Sequence, residues 1–244
     1  EMNSATLKVI NPPTYHLHSK PTKRKMLVAG SYFGTIAFLL GVLLILELLD
    51  RTLRDKFRTE RITRGTVVGA FPSKQKGRYQ HLIEQAAAQA LANQIFGYID
   101  TVNRYSFINM LQLDSEVDMG PLMYGVREHW QSLGLQVGVL EEGVDFNARS
   151  RDFLMTGKLI SQVREEEHDL VFVRHSDISN IPIPSWYLEK AAVNMLILDA
   201  QSAWKEENQE IYKDLVQRSA QVPLLICLIN ADKLSIETFT GMLP

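Results

Sequence analysis

Cysteine is almost absent from this chain of 244 residues: only Cys227 is present, within the apolar run 223–230. An intrachain disulfide is therefore excluded, which fits a reducing compartment for the bulk of the chain. A strong charge bias is also missing. Twenty-six basic and 28 acidic residues leave a formal net charge of −2, with no basic stripe interleaved with aromatics, which argues against a nucleic-acid partner. The histidines at 16, 18, 81, 129, 168 and 175 are scattered and have no metal-ligand spacing. Trp130, Trp186 and Trp204 read as packing groups rather than a stacking platform.

One long run also lacks charge altogether. Met26 to Leu46 is 21 residues without a charged side chain. At about 1.5 Å per residue it reaches roughly 31 Å, enough to cross a bilayer core of about 30 Å. It is too long for the apolar region of a signal peptide, and no small-x-small cleavage site follows it. The expectation is a membrane helix that carries about 200 residues on its far side. Five Lys/Arg precede it within 20 residues and six follow, a near tie that leaves its orientation open. Gly30, Gly34, Ala37 and Gly41 recur at i, i+4, i+7 and i+11. They form a small-residue face suited to close approach by another membrane helix. The chain opens on Glu1 with too few residues before Met26 for a core, so it reads as a piece of a longer protein cut upstream of its last span.

Four segments follow: a tail at 1–25, the span at 26–46, a juxtamembrane helix and linker at 47–77, and a globular domain at 78–244. Within the third, Glu47 to Arg64 reads as a solvated helix and 65–72 as a short strand. In the last, helices are expected over Tyr79–Ile99, Gly120–Leu133, Asp152–Glu166, Tyr187–Ala192 and Lys205–Ser219. Strands are expected over Tyr105–Leu113, Gln136–Leu140, Asp169–Val173, Val193–Ala200 and Pro223–Ile229. Near-continuous apolar strands separated by helices mean a parallel sheet covered on both faces. The fold class is α/β, a doubly wound, mainly parallel sheet of about five strands.

Ligands in such a sheet bind at the carboxyl ends of the strands. The loop after the first expected strand of the globular domain, Asp114 to Pro121, has one glycine and no Gly-Lys-Ser/Thr. Its acids Glu116 and Asp118 repel a polyphosphate, and Asp118 reads as a helix N-cap. Glu141, Glu142 and Asp145 after the next strand suit Mg²⁺ only if phosphate or water completes the shell. His175-Ser176-Asp177 has the residue types of a triad, but a triad is a spatial constellation and not a run. No catalytic, cofactor or metal residue is assigned.

The order of parts resembles bacterial polysaccharide co-polymerases, the chain-length determinant proteins of surface and exopolysaccharide export. The resemblance rests on Asn11-Pro12-Pro13, an apolar span ending in Glu47-Leu-Leu-Asp-Arg-Thr-Leu53, and Val67-Val-Gly-Ala-Phe-Pro72. The soluble part is similar in order of elements to the tyrosine autokinase (BY-kinase) domain of that family. The resemblance implies a periplasmic tail, an inner-membrane span and a cytosolic domain. It also implies homo-oligomers, contacts with other membrane helices, and polysaccharide polymerase or export components as partners. The P-loop-like fold lacks the P-loop, the second aspartate motif is replaced by Leu140-Glu141-Glu142-Gly143, and the third by Val173-Arg174-His175. The expectation is a degenerate kinase-like domain that works as a scaffold without cofactor. An adaptor for a separate P-loop kinase and an active kinase using Glu141, Glu142 or Asp145 are the alternatives.

Overall fold

The structure, a computed structural model, describes residues 23–74, 78–99, 106–113, 117–156, 168–181 and 183–243. The chain divides into two compact units between Asp50 and Arg51. In the first, helix α1 spans Arg24–Leu49 with none of its residues buried. Among the described residues it alone is long and apolar enough to cross a membrane. Arg24 and Lys25 open the helix, and the apolar run fills the remainder.

The second unit is an α/β body. Its elements are α2 (Lys56–Thr63), β1 (Thr66–Pro72), α3 (Gln80–Phe96), β2 (Ser106–Gln112), α4 (Gly120–Ser132), β3 (Val137–Glu141) and α5 (Arg151–Thr156). These are followed by β4 (Leu170–His175), α6 (Ser185–Lys190), β5 (Val193–Asp199), α7 (Glu206–Arg218), β6 (Leu224–Ala231) and α8 (Lys233–Thr240). The strands form one six-stranded sheet in the order β1-β6-β5-β2-β4-β3, with every pairing parallel.

The α/β fold with a parallel sheet is as expected, and Thr66–Pro72 joins β6 as an edge strand to bring the expected five or so strands to six. Its Val67, Val68, Ala70 and Phe71 are buried, and a strand that apolar needs a sheet and a helix to cover it. The cover is α3: a Cβ on Gly69 would lie 2.7 Å from Leu91 Cδ1, so a larger residue there would make the Leu91 side chain shift. The solvated helix over Glu47–Arg64 is broken after Leu49. Leu53 is buried, Thr52 bridges Ala203, and α2 restarts with the Asp55 carboxylate accepting the Arg58 amide at 2.9 Å. Thr59 and Thr63 turn inward and are buried, so residues 51–72 belong to the body rather than to a free linker. Of the helix expected over Asp152–Glu166, the described part is Arg151–Thr156; residues 157–167 lie outside the described residues.

The core centres on β2, all seven of whose residues are buried. Trp130 of α4 stacks on Phe172 of β4 with centroids 5.3 Å apart and planes 9° from parallel. The same interior holds a polar chain. Asn109 and Asn194 face each other in the β2–β5 register, and Asn109 Nδ2 donates to Asn194 Oδ1 at 2.7 Å. Asn194 Nδ2 in turn donates to the Leu188 carbonyl at 3.0 Å and to Ser219 Oγ at 3.2 Å. A one-residue slip would set these amides against apolar neighbours, so the pair specifies register. Asn194→Leu orphans the Asn109 amide in a dry interior and should cost about 1–3 kcal/mol. Adding Asn109→Leu should cost little more, or restore part of the loss, because both partners are then apolar. Urea unfolding of the full chain in detergent measures both.

Candidate functional site

From β2 the chain winds to β3 and β4 on one side and then to β5 and β6 on the other, where β6 pairs with the earlier strand β1. The carboxyl end of β2 is therefore the point where the winding reverses and where a ligand is expected in this class of sheet. Gln112 ends β2 fully buried and donates through Nε2 to the Val117 carbonyl at 2.7 Å. The Ile178 amide donates to the Gln112 carbonyl at 2.9 Å, and Ser179 Oγ to the Leu113 carbonyl at 3.2 Å. These bonds tie the loop after β4 over the end of β2.

Helix α4 opens at Gly120, with Pro121 behind it. Asp118 is not its N-cap, since Met119 holds that position and makes no side-chain cap. Asp118 acts one residue earlier. Its Oδ1 accepts the Gly120 amide at 2.9 Å, and its Oδ2 accepts Lys74 Nζ at 2.5 Å. The Lys74 ammonium first, and then the Gly120 amide, hold this carboxyl below the usual carboxylate range. A P-loop turns helix amides toward phosphate at this place. Here a carboxylate of the chain itself meets the opening amide, and the nearby cation is paired with it. Both side chains are more than half exposed, so the pair adds little stability. Its effect is to occupy the opening amide and the nearby ammonium with one carboxylate of the chain itself. Asp114 and Glu116 lie outside the described residues.

The three acids after β3 do not converge. Asp145 Oδ2 accepts the Glu141 amide at 2.8 Å, Glu141 Oε1 accepts Arg174 Nη1 at 3.4 Å, and Glu142 Oε2 accepts the Ser176 amide at 3.1 Å. Burial raises the Glu142 carboxyl, with the Ser176 amide opposing it. Among the described residues no group of three or more His, Cys, Asp or Glu is arranged to hold a metal. His175 is fully buried between Phe146, Phe153 and Tyr187, at centroid distances of 5.3, 6.0 and 5.2 Å. Neither ring nitrogen has a hydrogen-bond partner, and Nδ1 lies 3.9 Å from Glu142 Oε2. Desolvation pushes the imidazole down to about 3. Asp177 sits at φ +53° and accepts Asn180 Nδ2 at 2.9 Å. His175 packs among the rings, the Ser176 amide bonds Glu142 and Asp177 bonds Asn180, so the described hydrogen bonds link none of the three to another.

Two participants carried no sequence signal strong enough to single them out. Lys74 reaches Asp118 from 44 residues away, a pairing that only the sheet creates. Asp199 ends β5 beside the reversal point, where its two oxygens accept the Gln201 amide at 2.8 Å and Asn230 Nδ2 at 3.0 Å. An acid closing an apolar strand was the available cue. Next to it a cleft of about 270 Å³ is lined by Leu53, Leu113, Val117, Trp204 and Asn208. On α1, a Cβ at Gly30, Gly34 or Gly41 would meet nothing within 4 Å.

No protein-family model matches the chain, and no curated protein matches it. Two solved structures share the fold of the body. The BceF tyrosine kinase domain is 13% identical with a TM-score of 0.51, over 73% of this chain and 99% of that one. The chimerical protein CapA2B2 is 9% identical with a TM-score of 0.50, over 73% of this chain and 100% of that one. At such identities the likeness shows the fold alone: the α/β body shares its architecture with these two proteins.

Burial of neutral His175 predicts a pH dependence. Its folded value near 3 lies below its ordinary 6.5, so the unfolded chain binds the extra proton between these limits, and stability falls as pH drops through that window. Glu142, raised in the folded state, works in the opposite direction. His175→Phe removes two unpartnered nitrogens and should leave stability at neutral pH equal or higher. It should also flatten the decline between pH 6.5 and about 3. Chemical unfolding at a series of pH values checks this; an unchanged slope contradicts it.

Proposed function

We propose that this chain is a non-catalytic, membrane-tethered subunit of bacterial surface-polysaccharide or exopolysaccharide assembly, chain-length control or export. Its kinase-like body acts through contacts with other copies or with export components, and it uses no cofactor. The observation that carries the reading is the Asp118 carboxylate at the opening of α4, hydrogen-bonded to Gly120 and paired with Lys74. A polyphosphate brought there finds the opening amide and the nearby ammonium already bound to the chain's own carboxylate, in a loop without Gly-Lys-Ser/Thr. The fold likeness to the BceF tyrosine kinase domain supports the kinase-like part of the reading. The apolar helix and the Glu47 to Pro72 segment support the membrane part.

In this reading the tail is periplasmic, α1 crosses the inner membrane, and the body lies in the cytosol. Tethering confines the body to a thin layer and raises its effective concentration toward neighbours, on the order of millimolar for short links. The face of Gly30, Gly34, Ala37 and Gly41 meets another membrane helix, from the same or a neighbouring subunit.

Two outcomes test the proposal. Purified full chain incubated with magnesium-ATP should acquire no phosphotyrosine. Phosphotyrosine that disappears on joint replacement of Glu141, Glu142 and Asp145 by alanine would overturn it. Gly34→Ile should shift the detergent-solubilised chain toward smaller assemblies on sizing with light scattering, whereas an unchanged mass removes the helix contact.

A further inference from the structure

The outer side of α2 carries charge and exposed apolar surface. Phe57 is 73% exposed, and Arg61, four residues on and so on the same side of the helix, is exposed as well. Exposed Arg54 and Arg64 flank the two ends of the helix. Among the described residues none of these three arginines makes an ion pair. The two acids in the segment are turned to backbone: Asp55 accepts the Arg58 amide at 2.9 Å and Glu60 accepts the Val67 amide at 3.2 Å. The inner side is fixed in place. Thr59 Oγ1 donates to the Leu53 carbonyl at 3.0 Å, Thr63 Oγ1 to the Thr59 carbonyl at 2.8 Å, and Ser235 Oγ to the Arg54 carbonyl at 2.9 Å. Leu234, beside Ser235 at the start of α8, is 76% exposed. A rigid helix thus shows arginines around an aromatic ring, with its own acids turned away.

We infer that this face of α2 docks on anionic lipid headgroups, with Phe57 entering the interface and Arg54, Arg61 and Arg64 meeting phosphates. The inference depends on α1 crossing a bilayer, and chain connectivity then selects lipid over other acidic partners. Six residues separate Leu49 from Lys56, so α2 starts within about 25 Å of the end of the apolar helix even if that link is fully extended. Within that reach, an anionic leaflet attracts each arginine enough to change the docked-to-free ratio about fivefold. An aromatic ring among cationic side chains is the arrangement that interfacial helices present to lipid. The net charge of −2 gives the body as a whole no such attraction, so the contact is confined to this face.

The test uses the full chain in nanodiscs with Phe57→Trp, which keeps an aromatic ring at the face, and lipids brominated on their acyl chains. Fluorescence of the parent, from Trp130, Trp186 and Trp204, is subtracted. Quenching at position 57 should be strong in phosphatidylglycerol discs, weak in phosphatidylcholine discs, and reduced by salt. Arg54→Glu, Arg61→Glu and Arg64→Glu together should lower the docked-to-free ratio by about a hundredfold or more, on the fivefold scale per arginine. The salt series on Phe57→Trp alone gives the same answer should the triple variant not fold. Equal quenching in the two lipids, or quenching insensitive to salt, overturns the inference. Shielding of position 57 that grows only with the number of copies per disc also overturns it, and assigns the face to a protein neighbour.

Discussion

The central strand β2 is held between β4 and β5 with every side chain buried, and the buried amide pair of Asn109 and Asn194 pins its register. Everything at the carboxyl edge depends on that register. A parallel strand covered on both faces tolerates no slip, because one residue of displacement turns its whole apolar set over. With β2 fixed, Gln112 reaches Val117, Leu113 is tied to Ser179, and α4 opens where the winding of the sheet reverses.

At that edge the polar groups are occupied by the chain itself. Asp118 serves Gly120 and Lys74, Asp199 serves Gln201 and Asn230, Asp145 serves Glu141, and Glu142 serves Ser176. Carboxylates that accept backbone amides stiffen loops, and each such bond removes an acceptor from the set a ligand could use. His175 completes the pattern. It is sealed among aromatic rings and kept neutral. The carboxylate bonds hold the edge in shape.

Much of this was legible in the sequence, for physical reasons that differ by element. Strands β2, β5 and β6 announce themselves because burial on both faces demands unbroken apolar runs, and α4 and α7 fall close to their expected limits. Strand β1 was visible as a strand but not as a member of the sheet, since its partner β6 begins more than 150 residues later and no local signal encodes that pairing. The break between α1 and α2 was hidden by a run of charges that suits a solvated helix; burial of Leu53, Thr59 and Thr63 is a tertiary fact. At the site, the acidic makeup of the loop after β2 could be read directly, whereas the Lys74 pairing could not. Asp118 was identified as a helix-entrance residue, and only the backbone geometry shows that it acts one position before the cap.

The central claim is that the entrance of α4 is occupied by the chain's own Asp118–Lys74 pair. Calorimetric titration of the full chain in detergent with magnesium-ATP addresses it most directly. An entrance so occupied predicts no saturable heat through the micromolar range. Stoichiometric binding with micromolar affinity would contradict it.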